Sequence, residues 1–487
     1  MSQRNKSLKL NFLMNVMLTM SSFIFPLITF PYISRILLPI GTGKVSFATS
    51  IVTYFSMFAQ LGIPTYGIRA CARVRDSREE LTRTAQELLS INLIMSVISY
   101  AVLFILVLTV PRFRAEKNLY VILSFTIILT AIGMEWLYKA LEQYTYITIR
   151  SVIFKFIALI AMFLLVHDQK DYVVYGGITI FAASASNILN LLNAHKYIDL
   201  KPIGNYNFKR HMKSILIFFA MSCATTIYTN LDTVMLGFMS TDVDVGYYNA
   251  AVKIKVILVS IVTSLGTVLL PRASYYIQQG KLKEFRKITE KALNFVVLLA
   301  MPLMLYFIYY AKEGIYFLSG SAYSGSIVPM QVIMPTLLLI GITNILGIQI
   351  LVPMGREKVV LYSEIVGAIV DVIINALLIP QYASTGAAIG TLIAEFAVFL
   401  VQFVALKVEV KDAFRSIHYR RIIIALIFSS VGCLWIKYFL EGYFKILVLS
   451  SILFFGIYGV VLLIFREEMV IEIVNIVIKK KDRRKDE

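Results

Sequence analysis

FLMNVMLTMSSFIFPLITFPYI, residues 12–33, holds 22 residues without a single charge. An α-helix crosses the hydrocarbon core of a bilayer with about 20 apolar residues. Behind the basic start MSQRNKSLK the run imitates a signal peptide, but it is too long and lacks a small-x-small cleavage site. It reads as a first spanning helix that is retained.

Working outward, similar runs follow near 43–62, 86–110, 119–138, 145–166, 173–194, 215–239, 246–271, 292–310, 327–352, 359–379, 384–406, 422–440 and 443–465. Backbone groups in lipid must pair within their own segment, so these runs are helices. The expected fold class is an all-α membrane protein of about fourteen spans. Charged residues make up only 16% of the 487, against roughly 25% in soluble chains. The formal charge of +18 would suggest nucleic acid in a soluble protein. Here the basic residues sit between apolar runs, so the membrane accounts for them and no nucleic acid is expected. Cys71, Cys223 and Cys433 are far apart, as are His167, His195, His211 and His418, and neither set has ligand spacing. No metal and no cofactor is expected.

Lys and Arg are enriched in cytoplasmic loops. With the amino terminus inside, 34 of the 47 basic residues fall on the inner side, 9 outside and 4 within runs. Both termini are therefore expected in the cytoplasm, with membrane lipids as partners throughout. The inner connections 63–85, 195–214 and 272–291 read as short amphipathic or surface helices. The closing KKKDRRKDE is a polybasic cluster beside the membrane. It serves as a topology anchor, with anionic-lipid binding as the sharper alternative.

Shifted by 203 positions, 43–90 aligns with 246–293 without a gap. Gly43 meets Gly246, Ala48 meets Ala251, Ile51 meets Ile254, Arg69 meets Arg272, Ala70 meets Ala273, Arg83 meets Arg286 and Glu87 meets Glu290. An even number of spans separates the copies, so the repeat is parallel, with a transport path expected between the halves. The expected division is an N-lobe at 1–205, a C-lobe at 206–410, two added spans at 411–466 and a basic tail at 467–487. Pro26, Pro31, Pro302 and Pro335 lie inside runs, where they remove helix bonds and allow bends.

Charges inside the runs are the candidate site, because a Lys, Arg or Asp at mid-bilayer costs roughly 2.5–3.5 kcal/mol. Arg150 and Lys155 lie in the fifth run, Lys155 near the midplane. Lys253 and Lys255 lie in the eighth. Acids occur as Glu135, Asp232, Glu364, Asp371 and Glu395. Glu364 and Asp371 share one helix face, as do Asp371 and Asn375. Two readings stay open. Either the charges form interhelical salt bridges, for instance Lys155 with Asp371, or the cations wall a cavity for an anionic substrate and the acids serve a coupling ion or a partner. Ammonium and guanidinium groups bind phosphate oxygens by charge-assisted hydrogen bonds.

The stretches FPYISRILLPIGTGKVSFATSIVTYFSMFAQLGIPTYGIRACARVRD (30–76), GMEWLYKALEQYTYITIRSVIFKFIALIAMFLLV (133–166) and NLDTVMLGFMSTDVDVGYYNAAVKIKVILVSIVTSLGTVLLPRAS (230–274) resemble the Wzx-type polysaccharide flippases. Those belong to the multidrug/oligosaccharidyl-lipid/polysaccharide exporter superfamily. The resemblance spans most of 1–410 and weakens beyond. It implies a V-shaped two-lobed transporter with two pseudo-symmetric six-helix lobes. It implies export of undecaprenyl-pyrophosphate-linked repeat units across a bacterial cell membrane for capsule, O-antigen or exopolysaccharide, with hand-off to a polymerase and export machinery. Arg35, Arg69, Glu135, Trp136, Glu142, Arg150, Lys155, Asp232, Tyr247, Lys253 and Arg272 fall on the family pattern. The cationic-cavity role carries to Arg150, Lys155 and Lys253, with Lys255 beside them, while Arg35, Arg69 and Arg272 lie at run ends. Asp232, Asp371 and Glu395 are the coupling candidates, for H+ or Na+. The family's glycine after RIL is Leu38 here.

Three rivals are distinguishable. A drug/cation antiporter of the same superfamily needs an acidic N-lobe cavity, which the basic fifth run opposes. A membrane polymerase or ligase needs a long outer loop and a catalytic set, and neither occurs at usable spacing. A peptidoglycan-precursor flippase would share the fold and differ in cargo.

Overall fold

The computed structural model describes residues 2–472; the tail KKKDRRKDE lies outside the described residues. No strand occurs among the described residues. Eleven of their helices are long and apolar enough to cross a membrane, and a pair bent by 47°, Ser321–Ile333 with Thr336–Leu351, makes up to twelve. Two of the eleven are too long for one crossing, at 61 and 49 residues. At 1.5 Å per residue they would reach about 90 and 75 Å, against a core of about 30 Å. The first is interrupted at Leu38 (φ 58°, ψ 177°) and again at Leu61–Gly62 before α2, the second at Ala383 (φ 46°, ψ −123°). Divided there, the set is compatible with the fourteen runs of the sequence. The chain is an integral, multi-span membrane protein.

Contacts divide the chain into two compact units, Met1–Gly246 and Tyr247–Glu487. In the first, α1 (Ser2–Gln60) leads to α2 (Ile63–Arg73), α3 (Arg78–Thr109), α4 (Pro111–Ala115) and α5 (Lys117–Gly133). Then come α6 (Glu135–Ala140), α7 (Tyr144–Leu165), α8 (Tyr172–Ile180), α9 (Asn187–Asn193) and α10 (Lys209–Met239). α11 (Asp242–Gln278) begins at the unit boundary. The second unit continues with α12 (Leu282–Tyr309), α13 (Ala311–Ser319), α14 (Ile327–Ile333), α15 (Thr336–Asn344) and α16 (Glu357–Ala405). It ends with α17 (Lys407–Ser416), α18 (Tyr419–Leu434), α19 (Ile436–Phe439) and α20 (Tyr443–Ile464).

The observed boundary differs by one long helix from the division expected at 205/206. α10 belongs to the first unit because its first turn is bonded to α3: Arg210 and His211 both reach Glu87, at 2.6 and 2.7 Å. The preceding connection is bonded there too, with Arg78 on Asp199 at 2.9 Å, the Asp199 amide on Thr82 at 3.1 Å and Gln86 on the Lys201 carbonyl at 2.8 Å. Residues 78, 82 and 86 repeat every four positions and so line one face of α3.

The expected short helix at 63–85 forms as α2, with Ile63, Gly67 and Cys71 buried and Arg69 and Arg73 outward. The other two connections form no separate helix. Residues 202–207 are irregular, with Gly204 at φ 74° and Asn205 at φ 53°, left-handed values that end a helix. Between α11 and α12 only a short turn intervenes. Pro335 stands at the 47° bend, whereas Pro26, Pro31 and Pro302 lie inside continuous helices.

The last two spans, α18 and α20, join the core of the second unit with α12. Buried tyrosines tie them. Tyr306 donates to the Leu447 carbonyl at 2.8 Å, Tyr310 to the Cys433 carbonyl at 2.7 Å and Tyr458 to the Leu298 carbonyl at 3.0 Å. Large apolar side chains such as Ile98, Leu108, Val431 and Ile464 face outward, as a lipid-facing surface requires.

Residues matched by the repeat share environments in part. Ala48 and Ala251, and Ile51 and Ile254, are all buried, and Arg69 and Arg272 are all exposed. Gly43 and Gly246 meet: a Cβ on Gly43 would lie 1.7 Å from the Asp242 carbonyl oxygen and 2.9 Å from the Gly246 nitrogen.

The turn at Leu38 makes the family's glycine intelligible. Its dihedrals lie in a region that is essentially glycine-only and costs another residue about 1–3 kcal/mol. Leu38→Gly is therefore expected to leave the melting temperature of the purified protein unchanged or raised. Leu37→Gly, which empties a fully buried site, is expected to lose about 3–5 kcal/mol. A large fall in melting temperature for Leu38→Gly alone would show that the turn is not strained.

Candidate functional site

The polar side chains of α7 define the candidate site in the first unit. Arg150 is 4% exposed. Its guanidinium donates to the Ser186 carbonyl at 2.7 Å and to Asn187 Oδ1 at 3.0 Å, and lies 3.5 Å from Glu135. A π-helical turn at Phe181–Ala185 separates α8 from α9 and precedes Ser186. α5 and α6 are broken at Met134 (φ 40°, ψ 40°). The break frees the Gly133 carbonyl, which Asn190 takes at 2.7 Å, and Tyr138 in turn donates to the Asn190 carbonyl at 2.6 Å. Arg150 is thus a brace between two helix breaks, touching Glu135 just after one and Ser186 and Asn187 just after the other. Glu135 also pairs with Lys139 at 2.8 Å.

Lys155 is different. It lies 11 residues from the start and 10 from the end of α7, about 15 Å from either end. Its ammonium donates to Ser21 at 2.8 Å and Ser22 at 2.9 Å on α1. Within the described residues of the first unit no carboxylate forms an ion pair with it. Neutral hydroxyls do not cancel the positive charge, on which Glu135 acts only through space, and each can rotate to donate to an incoming anion. A half-buried ammonium held this way is suited to binding phosphate oxygens.

The other nominated residues are placed as follows. Arg35 is exposed and donates to the Pro31 carbonyl at 2.5 Å. Arg69 and Arg272 are exposed; Lys253, Lys255 and Glu364 are half-buried. Asp232 is buried in α10 of the first unit, and Asp371 and Glu395 are buried in α16 of the second. Around Asp371 the two halves of α16 pack closely. A Cβ on Gly390 would lie 2.1 Å from Asn375 Oδ1 and 3.1 Å from Asp371 Oδ1, so Gly390 is what admits those polar groups between the halves. Tyr248 bonds Thr391 at 2.8 Å one residue on.

Two polar groups were not legible as sites. One is the Glu87 cluster at the start of α10. The other surrounds a cavity of about 400 Å³ within the first unit. There Lys44 pairs with Glu116 at 2.5 Å, Arg112 pairs with Asp242 at 2.6 Å, and Tyr172 donates to Glu116 at 2.6 Å. The partners are 56 to 130 positions apart, and no local spacing reports such a meeting.

With this geometry in view, known proteins become informative. Residues 8–277 match the family model described as "Polysaccharide biosynthesis protein", more than half of the chain. The chain belongs to the polysaccharide biosynthesis protein family. Residues 218–377 also match the model described as "MatE". A relative in Escherichia coli (strain K12), named "Putative O-antigen transporter", is 24% identical over 399 residues, which is 81% of this chain and 95% of that one. A relative of the same name in Shigella dysenteriae is 26% identical over 414 residues, covering 82% and 100%. Among solved structures, "Lipid II flippase MurJ, inward closed conformation" matches 94% of this chain and all of that one, with a TM-score of 0.72 and 16% identity. That likeness establishes a shared fold, consistent with the fold class the sequence implied.

The two α7 cations separate cleanly in experiment. Arg150→Ala removes three charge-assisted contacts from a closed site and is expected to lower stability by about 2–4 kcal/mol. Lys155→Ala removes two contacts to hydroxyls and is expected to change melting temperature little. Thermal unfolding of both variants in one detergent checks this; equal losses would make Lys155 a structural residue.

Proposed function

We propose that this member of the polysaccharide biosynthesis family is a flippase. It moves undecaprenyl-pyrophosphate-linked oligosaccharide units from the cytoplasmic to the outer leaflet by alternating access, for capsule, O-antigen or exopolysaccharide. The observation that carries the reading is Lys155: an ammonium midway along a spanning helix, bonded to Ser21 and Ser22 and to no carboxylate among the described residues of its own unit. A pyrophosphate entering hydrocarbon faces a large desolvation cost, and a fixed cation on its route offsets that cost. Arg150 contributes by holding α7 in place rather than by touching the cargo. Lys253 and Lys255 supply the second unit's cations. Family membership and the two relatives named as O-antigen transporters support the same cargo class.

In this reading both termini are cytoplasmic, because the connections that carry most of the basic residues then face inward. The cargo passes to a polymerase and export machinery at the outer face. A flippase of the peptidoglycan precursor is the alternative that the shared fold leaves open; its cargo differs in what the lipid pyrophosphate carries.

In cells that depend on this export, Lys155→Ala is expected to abolish surface polysaccharide while the protein still reaches the membrane. Lys155→Arg is expected to retain part of it, because guanidinium keeps the charge. Full export by Lys155→Ala would remove the central support of this reading.

A further inference from the structure

Glu87 has no exposed surface, yet nothing in the proposed cargo path uses it. Its Oε1 accepts the Asn207 backbone N–H at 2.6 Å. Its Oε2 lies 2.9 and 2.6 Å from Arg210 Nε and Nη2 and 2.7 Å from His211 Nε2. The other imidazole nitrogen, Nδ1, lies 2.8 Å from the Tyr66 hydroxyl. His211 itself is 3% exposed. The cluster therefore closes α3, α2 and the first turn of α10 around one carboxylate. Other charges also reach it. Glu80 of α3 stands 3.8 Å from Arg210, and Arg69 and Arg73 of α2 act on Tyr66 through space.

Immediately before this latch lies an irregular connection. Residues 202–207 carry no regular structure, and Gly204 and Asn205 are both left-handed. The connection is itself tied to α3 through Gln86, which accepts from the Ile203 amide at 3.3 Å and the Tyr206 hydroxyl at 2.7 Å. Further along, α10 packs on α1 through Phe219 and Phe238, so the contacts of one buried acid dock its first turn on α3. Releasing α10 from α3 takes the Asn207, Arg210 and His211 donors away together. An unpaired carboxylate left in a closed apolar site is strongly unfavourable. Taking up a proton removes that penalty, and His211, 2.7 Å away while α10 is docked, is placed to hand one over before it leaves. A protonated imidazolium gives up its Nε2 proton as the Glu87 O–H forms, becomes neutral imidazole, and takes a new proton from solvent once α10 is released. A sodium ion does not suit the site, since every partner of the carboxylate is a nitrogen donor and a hard cation needs oxygen ligands.

We propose that Glu87, with His211 as its proton relay, is a proton-binding site whose occupancy is linked to the docking of α10 on α3, and that the proton is the coupling ion of transport. The proposal rests on the flippase reading. Docked α10 goes with ionised Glu87 and released α10 with protonated Glu87. By linkage, a proton gradient then biases the cycle in proportion to that difference.

The test uses the full-length protein in liposomes with a lipid-linked oligosaccharide and the membrane potential clamped at zero. Flipping is timed with and without a gradient of one pH unit. Wild type is expected to speed up several-fold, with about tenfold as the ceiling for one proton per cycle. Glu87→Gln, which mimics the protonated acid, is expected to bind the cargo normally and to flip at the same rate with or without the gradient. His211→Asn is expected to lower the gradient response while keeping cargo binding.

A Glu87→Gln protein that responds like wild type overturns the proposal, as does a wild type that flips the cargo and ignores the gradient. In both cases the flippase reading stands. A wild type that binds and flips no lipid-linked oligosaccharide sinks that reading instead. If Glu87→Gln fails to fold, spin labels at Ser90 and Lys213 in a Cys223→Ser background decide the question. An α3–α10 distance that does not change between about pH 5 and pH 8 overturns the proposal; a distance that lengthens at the acid end supports it.

Discussion

A charge surrounded by hydrocarbon side chains must be given a partner, water or a proton, and this requirement organises the polar interior of the protein. Arg150 and Glu87 show one answer. Each is almost fully enclosed, and each is surrounded by groups that complement its charge: two carbonyl-type oxygens and a nearby carboxylate for Arg150, nitrogen donors for Glu87. These sites hold helices in place because dissolving them would strand a charge. Lys155 shows the other answer. Its partners are two serine hydroxyls, which accept two of its N–H bonds without cancelling its charge. The same helix therefore carries an enclosed cation and one bonded only to hydroxyls, five residues apart.

The helix breaks serve this arrangement. A straight spanning helix keeps its carbonyls to itself, so a side chain inside the bilayer finds few backbone acceptors. At Gly133–Met134 the ladder is interrupted and the freed carbonyl accepts from Asn190, while after the π-turn the Ser186 carbonyl accepts from Arg150 as well as from the Leu189 amide. In α16 the interruption at Ala383 folds the helix back on itself, and Gly390 then lets Asp371 and Asn375 sit between the halves. Breaks, small residues and buried polar groups belong together for this reason: each makes the others affordable in lipid.

The two copies of the repeat agree at the packing positions and differ at one acid. Ala48 and Ile51 keep the burial of Ala251 and Ile254, because packing one helix on another imposes the same demand in both copies. Glu87 and Glu290 do not match. Glu87 is enclosed by the start of α10, whereas Glu290 is half-exposed. The difference follows from sequence outside the repeat. The connection 195–208 lies along α3 and delivers Arg210 and His211 to one acid, and this is also why α10 packs with the first unit.

The sequence by itself determined the class of the fold, the position of its spans and the family. Those depend on local quantities: twenty apolar residues make a crossing wherever they occur, and motif stretches such as 133–166 are contiguous. It also singled out Lys155, since a charge deep in an apolar run is visible without knowing its neighbours. Only the tertiary structure decided that Arg150 is a brace and Lys155 an open cation. Only it could gather Tyr66, Glu87, Arg210 and His211 into one site, or seat α18 and α20 in the core of the second unit. Those outcomes depend on which side chains meet across more than a hundred residues, and in a helical membrane protein nearly every such meeting is made by side chains, whose choice of partner leaves no periodic trace along the chain.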